Sequence, residues 1–208
     1  MEQDVIHRYV TAEQIEELRD AAHVVNEGRP LGRKLRDEVI VCWLFDTGTR
    51  NDETRGIRPD GMVDLAQEEV RLPSGLQKDY PNENSPPSAV LELDKSNIGL
   101  TRLLRNYLNS EWYQNQESDY LIPTRQSDQI SEEGLRTVVR RVAEEAEIRP
   151  YTTDGERAGA NELGPHDFRH SVANWMLADG YTMTQVRNRL RHRSNDTTER
   201  VYEHFTRG

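Results

Sequence analysis

The longest unbroken apolar run in this 208-residue chain is Val39-Ile-Val-Cys-Trp-Leu-Phe45. It is far shorter than the roughly 20 residues a membrane-spanning helix needs. With 34% hydrophobic and 31% charged residues, the chain suits one large soluble domain or two small ones with a modest core. The run lies in a segment that reads as a helix from Leu31 to Thr47, burying Leu35, Val39, Cys42, Trp43 and Phe45. The opening MEQDVIHRYVTAEQ has no basic start followed by an apolar stretch, so no signal peptide is expected. The single cysteine, Cys42, cannot form an internal disulfide, which fits a reducing cytoplasm.

Other elements follow from local signals. Thr11 and Gln14 form a capping box for a helix carrying Ile15, Leu18, Ala22 and Val25, which GRP at 28–30 ends. DTGTRNDETRGIRP reads as a turn and a short helix stopping at Pro59. MVDL, EEVRL and SAVLEL read as short strands, the last two separated by an exposed loop rich in Pro, Ser, Asn and Gly. Asp94 and Ser96 offer caps for a helix through Leu100 to Leu108, and DYLIPT reads as a short extended piece. Ser131, followed by Glu132 and Glu133, starts a helix to about Glu147. RPYTTDGERAGANELGP reads as a long polar loop. Helices at about 166–179, 183–190 and 197–205 close the chain, the last two capped by Thr182 with Gln185 and by Asp196 with Glu199. The expected fold class is mainly α with a small antiparallel β-sheet (α+β).

Charge narrows the function. The net charge of −10 argues against a general nucleic-acid binder. The cations, however, are 24 Arg and only three Lys: Lys34, Lys78 and Lys95. Acidic, Lys-poor and Arg-rich chains resemble those of salt-loving archaea, in which bulk negative charge serves solubility. The last 45 residues invert the balance, with seven Arg against five Asp and Glu, and hold four of the six histidines. An anion-binding surface is expected there.

That segment contains GPHDFRHSVANW, with two histidines four apart around Arg169. Histidines at i and i+4 share a helical face, so His166 and His170 could bind zinc, with Asp167 in the place of a zinc protease glutamate. Against this, Pro165 puts His166 at a helix start and Asp167 is one methylene short. The other reading centres on Arg169. It sits near the positive end of a helix dipole, with a planar fork suited to two phosphate oxygens. Two arginines, one or two histidines, a lysine and a hydroxyl nucleophile can catalyse phosphodiester displacement without a metal.

Here the chain resembles the tyrosine recombinase (phage integrase) family, from about Tyr9 onward. DTGTRNDETRGIRPDGMVDL resembles the family's first arginine motif, and the segment from GPHDFRH to TTERVYEHF resembles its second half. The resemblance implies the family's catalytic-domain fold, with residues 1–10 as an extension or linker and 11–208 as the catalytic domain. It implies catalytic roles for Arg50, Lys78, His166, Arg169, His192 and Tyr202, with Glu53 and His170 in support. Tyr202 would attack the scissile DNA phosphate to give a 3′-phosphotyrosyl bond. Arg50 and Arg169 would hold the non-bridging oxygens, and Lys78 would protonate the leaving 5′ oxygen. His166 would manage the tyrosine proton and His192 would bond the phosphate. Arg187, Arg189, Arg191 and Arg193 form a stretch expected to contact the DNA backbone. The implied partners are double-stranded DNA and further copies of the chain on it, with no membrane, cofactor or metal.

Three departures stand out. No separate N-terminal DNA-binding domain is evident, only six residues follow Tyr202, and the family glycine before the third histidine is Arg191. The leading expectation is a site-specific recombinase, an integrase of a virus or mobile element. The competing readings are type IB topoisomerase-like relaxation, a DNA-binding remnant that has lost strand transfer, and a zinc hydrolase.

Overall fold

The computed structural model describes residues 6–78 and 86–191. Helix α1 (Ala12–Val24) opens with the Thr11–Gln14 capping box, and α2 (Leu31–Thr47) is the longest element. From Leu35 to Thr47 every residue of α2 is buried. A helix enclosed on all sides lies inside a core rather than on its surface. After α2 come the short helix α3 (Asn51–Arg55) and the single turn α4 (Pro59–Met62), leading into strand β2 (Val63–Asp64). Strands β3 (Glu69–Leu72) and β4 (Ala89–Glu92) complete an antiparallel sheet in the order β2-β3-β4. Val70 faces Val63 on one side and Leu91 on the other, and all three expected strands are present.

Helices α5 (Leu100–Leu108), α6 (Glu111–Gln114) and α7 (Glu132–Glu145) follow. The α7 cap is Ser131, whose side chain accepts from the Gly134 amide at 2.9 Å. Asp94 caps α5 from a distance, accepting from the Gly99 and Leu100 amides at 2.7 and 2.9 Å. Ser96 does not cap it, because its amide and hydroxyl both go to the buried Asp46. Leu121 and Ile122 bond to Ile57 and Ile130 through the main chain without forming a strand. Helices α8 (Pro165–Ala178) and α9 (Met183–Leu190) end the described chain, the latter with the expected Thr182–Gln185 box. The helix expected at 197–205, with its Asp196–Glu199 cap, lies outside the described residues.

Two short strands also depart from the sequence reading. The segment read as an extension carries strand β1 (Arg8–Tyr9), and the stretch read as a polar loop carries β5 (Tyr151–Thr152). They pair antiparallel, Arg8 with Thr152 and Tyr9 with Tyr151. Val10 beside them is fully buried, and its amide donates to Ser171 Oγ of α8 at 2.8 Å. Ser171 in turn donates to the Asp167 carbonyl at 2.9 Å. Residues 8–10 are therefore built into the fold, and the physical reason is pairing with a distant partner that local sequence does not reveal. The main core runs through α1, α2, α5, α7 and the three-stranded sheet, and a smaller cluster of Val172, Ala173, Met176, Val186 and Leu190 joins α8 to α9. Among the described residues, no helix is long and apolar enough to cross a membrane.

Replacing Ser171 with Ala leaves the Val10 amide buried without its acceptor. We expect a loss of about 1–2 kcal/mol in unfolding free energy by urea titration, together with faster hydrogen exchange at the amides of residues 8–10.

Candidate active site

The end of α2 sets the site. Gly48 ends the helix in the left-handed region at φ 60°. A Cβ there would stand 2.6 Å from Leu190 Cδ2, so both the backbone conformation and the close approach require glycine. A chain of hydroxyls fixes the turn that follows. Trp43 Nε1 donates to Thr49 Oγ1 at 2.9 Å, and Thr49 Oγ1 lies 3.0 Å from the Thr47 hydroxyl and 2.8 Å from that of Thr54. The turn delivers Arg50 as the residue preceding α3.

Arg50 meets Glu53 twice. Its amide donates to Glu53 Oε2 at 2.7 Å and its Nη1 to Oε1 at 2.9 Å. Its Nη2 reaches the Arg191 carbonyl at 3.4 Å. Glu53 is 1% exposed. Burial pushes its carboxyl up, but Arg191, the Arg50 amide and the Arg50 and Arg169 guanidinium groups outweigh burial and hold it below the ordinary glutamate range.

Arg169, on α8, is buried. Its Nη1 donates to the Gly48 carbonyl at 2.6 Å and its Nη2 to the Leu190 carbonyl. Arg50 and Arg169, far apart in the chain, thus converge on one turn at residues 190–191.

Arg191, which the resemblance sets at a glycine position, forms that turn. It ends α9 in the left-handed region (φ 53°, ψ 46°), which is unfavourable for a residue with a Cβ. Its guanidinium donates to Glu53 Oε2 at 2.5 Å. The charge that replaces glycine therefore supplies Glu53 with a second cation.

The arginine stretch expected to face DNA is divided. Arg189 turns inward, donating to the Glu92 and Asp46 carbonyls, each at 2.7 Å, and to Asp46 Oδ2 at 3.3 Å. Arg191 is equally committed to Glu53. Two buried carboxylates draw these side chains into the protein, so neither lies on an outward basic face. Arg187 is half-buried. Arg193 lies outside the described residues, as do His192 and Tyr202.

Pro165 opens α8, so His166 falls in its first turn. Its ring lies at the surface of the site. Partial desolvation, then the electrostatic effect of Arg169, His7 and Arg50, lowers its pKa below the ordinary histidine value. Asp167 serves the helix start, accepting from the Gly164 amide at 2.8 Å. Burial pushes its carboxyl up to about 6, against the pull of that amide and of Arg8. His170 is buried, its ring 5.1 Å from that of His166 and 4.2 Å from that of His7. His7, next to β1, was not singled out by the sequence reading. No nearby residue signals it, because strand pairing alone brings it here. Among the described residues no group of three or more His, Cys, Asp or Glu is placed to hold a metal ion.

Lys78 is exposed on the loop after β3. That loop is fixed by Gln77 Nε2, which donates to the Leu72 and Pro87 carbonyls at 3.1 and 2.8 Å. Leu76 also packs against Gly56, at the end of α3, where a Cβ would collide with it. The lysine loop and the Arg50 helix are thereby in contact.

The sequence model described as "Phage integrase family" matches residues 8–207. Tyrosine recombinase XerD of Bifidobacterium longum is 27% identical over 199 residues, covering 95% of this chain and 58% of that protein. The chain spans a little over half the length of such curated relatives. Among solved structures, XerA recombinase aligns with a TM-score of 0.69 at 19% identity, over 93% of this chain and 57% of that one. XerH site-specific recombinase, bound to a palindromic difH substrate in a post-cleavage complex, gives 0.64 at 16% identity, over 94% and 49%. At these identities the structures show a common fold.

Replacing Glu53 with Gln leaves the buried guanidinium groups short of their counter-charge. At pH 7 we expect a loss on the order of 3 kcal/mol in chemical denaturation. Because folding lowers the Glu53 pKa, wild type holds this advantage above the unfolded value of about 4.3 and loses it as pH falls through the folded value. The gap between wild type and Glu53→Gln should therefore narrow in acid.

Proposed function

Because the chain belongs to the phage integrase family, we propose that its domain is a site-specific recombinase, cutting and rejoining DNA strands with Tyr202 as nucleophile. The observation that carries this reading is the convergence of Arg50 and Arg169 on the turn at Leu190–Arg191, directly before His192. Two guanidinium groups anchored at one place suit a phosphate whose charge spreads over its non-bridging oxygens in the transition state.

The proposed step balances as follows. The Tyr202 oxygen bonds to phosphorus as the bond from phosphorus to the 5′ oxygen breaks, leaving a 3′-phosphotyrosyl ester. His166 takes the tyrosine proton, and its lowered pKa keeps it neutral and able to accept at neutral pH. Lys78, on its exposed loop, gives a proton to the 5′ oxygen. Arg50 and Arg169 neutralise the phosphate and His192 bonds it, while Glu53 and His170 hold the cationic and imidazole groups in position. Attack by the 5′-hydroxyl of another strand reverses the step, so the phosphate bond energy is conserved and no cofactor is consumed. Arg187 and Arg193 are the remaining candidates for backbone contacts beside the site.

Exchange between duplexes needs several cuts at once, so copies of the chain act together on DNA. The Arg-rich, Lys-poor acidic composition supports a salt-loving host, the single cysteine a cytoplasmic setting, and the family a mobile element as the source. The relatives are recombinases, and the relaxation and remnant readings are not favoured.

A nicked suicide substrate in EDTA tests the proposal. Wild type should form a covalent protein–DNA adduct and Tyr202→Phe none. Arg50→Ala or Arg169→Ala should slow adduct formation about 10²- to 10³-fold. An adduct that persists in Tyr202→Phe sinks the assignment. The wild-type rate should hold through neutral pH and fall only below about 6.5, the unperturbed histidine value.

A further inference from the structure

At the end of α2 remote from Gly48, a cavity of about 620 Å³ opens between the start of α2, the 124–126 loop and the first turns of α7. Five arginines line it: Arg29, Arg33, Arg36, Arg125 and Arg141. In a chain of net charge −10, this concentration needs a cause.

Part of the cause is internal. Asp37 is fully buried and accepts from Arg36 Nη2 at 2.6 Å, from Asn26 at 2.8 Å and from Arg141. Both of its oxygens are thereby occupied. The acid on the lining itself, Glu133, pairs with Arg136 at 2.9 Å. Among the described residues Arg29, Arg33 and Arg125 pair with no carboxylate. Arg33 Nε is buried without a hydrogen-bond partner among those residues. Burial and the nearby Arg36, with further weight from Arg141 and Arg29, lower the pKa of Arg33 although Asp37 opposes them. The fold thus gathers like charges that it does not neutralise, which costs free energy until an anion enters.

We propose that this cavity is a second DNA subsite, binding the phosphodiester backbone away from the point of cleavage. The inference rests on the reading of the chain as a DNA-acting recombinase. Arginine forks match pairs of phosphate oxygens. The neighbouring Thr124, Gln126 and Thr137 add hydrogen-bonding groups to the lining. The cavity wall is also tied to the catalytic side by a hydrogen bond. Ile130 lines it, and the Ile130 carbonyl accepts from Arg55 Nε at 2.9 Å at the end of the helix that Arg50 begins. The α2 helix, rising ~1.5 Å per residue, spans about 25 Å. That corresponds to roughly seven phosphates along one strand at ~3.4 Å each. Both places therefore lie within the length of one duplex turn, with α2 itself enclosed in the core between them.

The test measures binding of an arbitrary-sequence duplex across a salt series, comparing wild type with Arg29→Gln/Arg33→Gln/Arg125→Gln. Each lost phosphate contact should reduce the slope of log K against log salt by about 0.9. The triple variant should show a fall of about 1 to 3 and weaker binding at low salt. The matching lysine triple variant should keep most of the slope, because it keeps the charge. Circular dichroism checks the fold, and Arg125→Gln alone, on an exposed loop, repeats the test if the triple variant does not fold.

A wild-type slope and affinity in the glutamine variants overturn the proposal. So does poly-glutamate binding that the triple variant loses while its DNA binding stays intact, which would assign the cavity to an acidic protein. A lowered slope with no covalent adduct in wild type would sink the recombinase reading alone. An adduct with an unchanged slope would sink this subsite alone.

Discussion

The carboxylate of Glu53 is the constraint around which the site is arranged. An isolated ionised carboxylate in a protein interior costs several kcal/mol, and this one is almost wholly enclosed. Its compensation comes from the Arg50 amide, the Arg50 guanidinium and the Arg191 guanidinium. Each of these donors is thereby oriented before any substrate arrives. Arg191 accepts an unfavourable backbone conformation in the same arrangement, and its carbonyl receives Arg50. Strain at the turn and order at the arginine are two sides of one network.

Asp46, at the end of α2, repeats the device. It is buried, accepts from the Asp94 and Ser96 amides, and pairs with Arg189. The Asp46–Arg189 pair fixes α9 against α2 and the sheet, and the Glu53–Arg191 pair then fixes the turn that α9 ends in. The chain is strongly acidic overall, yet around this turn cations prevail locally. Partial desolvation first, and then that local surplus, lowers the His166 pKa.

What could be read from sequence follows the range of the interactions involved. The capping signals at Thr11, Ser131 and Thr182 act within three residues, and all three are found. The apolar run fixed the extent of α2 because its signal is dense. Arg50, Glu53, His166 and Arg169 were singled out through ordered motifs, and in the fold Arg50 bonds Glu53 while Arg169 reaches the same turn. The β1–β5 pairing was not legible, because two-residue strands from opposite parts of the chain carry no periodicity. His7 was hidden for the same reason. Arg189 and Arg191 were misread as an outward basic strip because the carboxylates that turn them inward, Asp46 and Glu53, lie more than a hundred residues earlier. Lys78 was singled out from the resemblance as the only lysine between Arg50 and the next helix region.

The acceptors that hold Arg50 and Arg169 at the turn are main-chain carbonyls of residues 48, 190 and 191. Every amino acid possesses such an oxygen, so point changes in side-chain chemistry at Leu190 cannot delete the anchor. They can only move it, through altered bulk against Gly48. The site is thus robust to chemical drift and fragile to displacement, and its evolutionary freedom is set by volume at that contact more than by polarity.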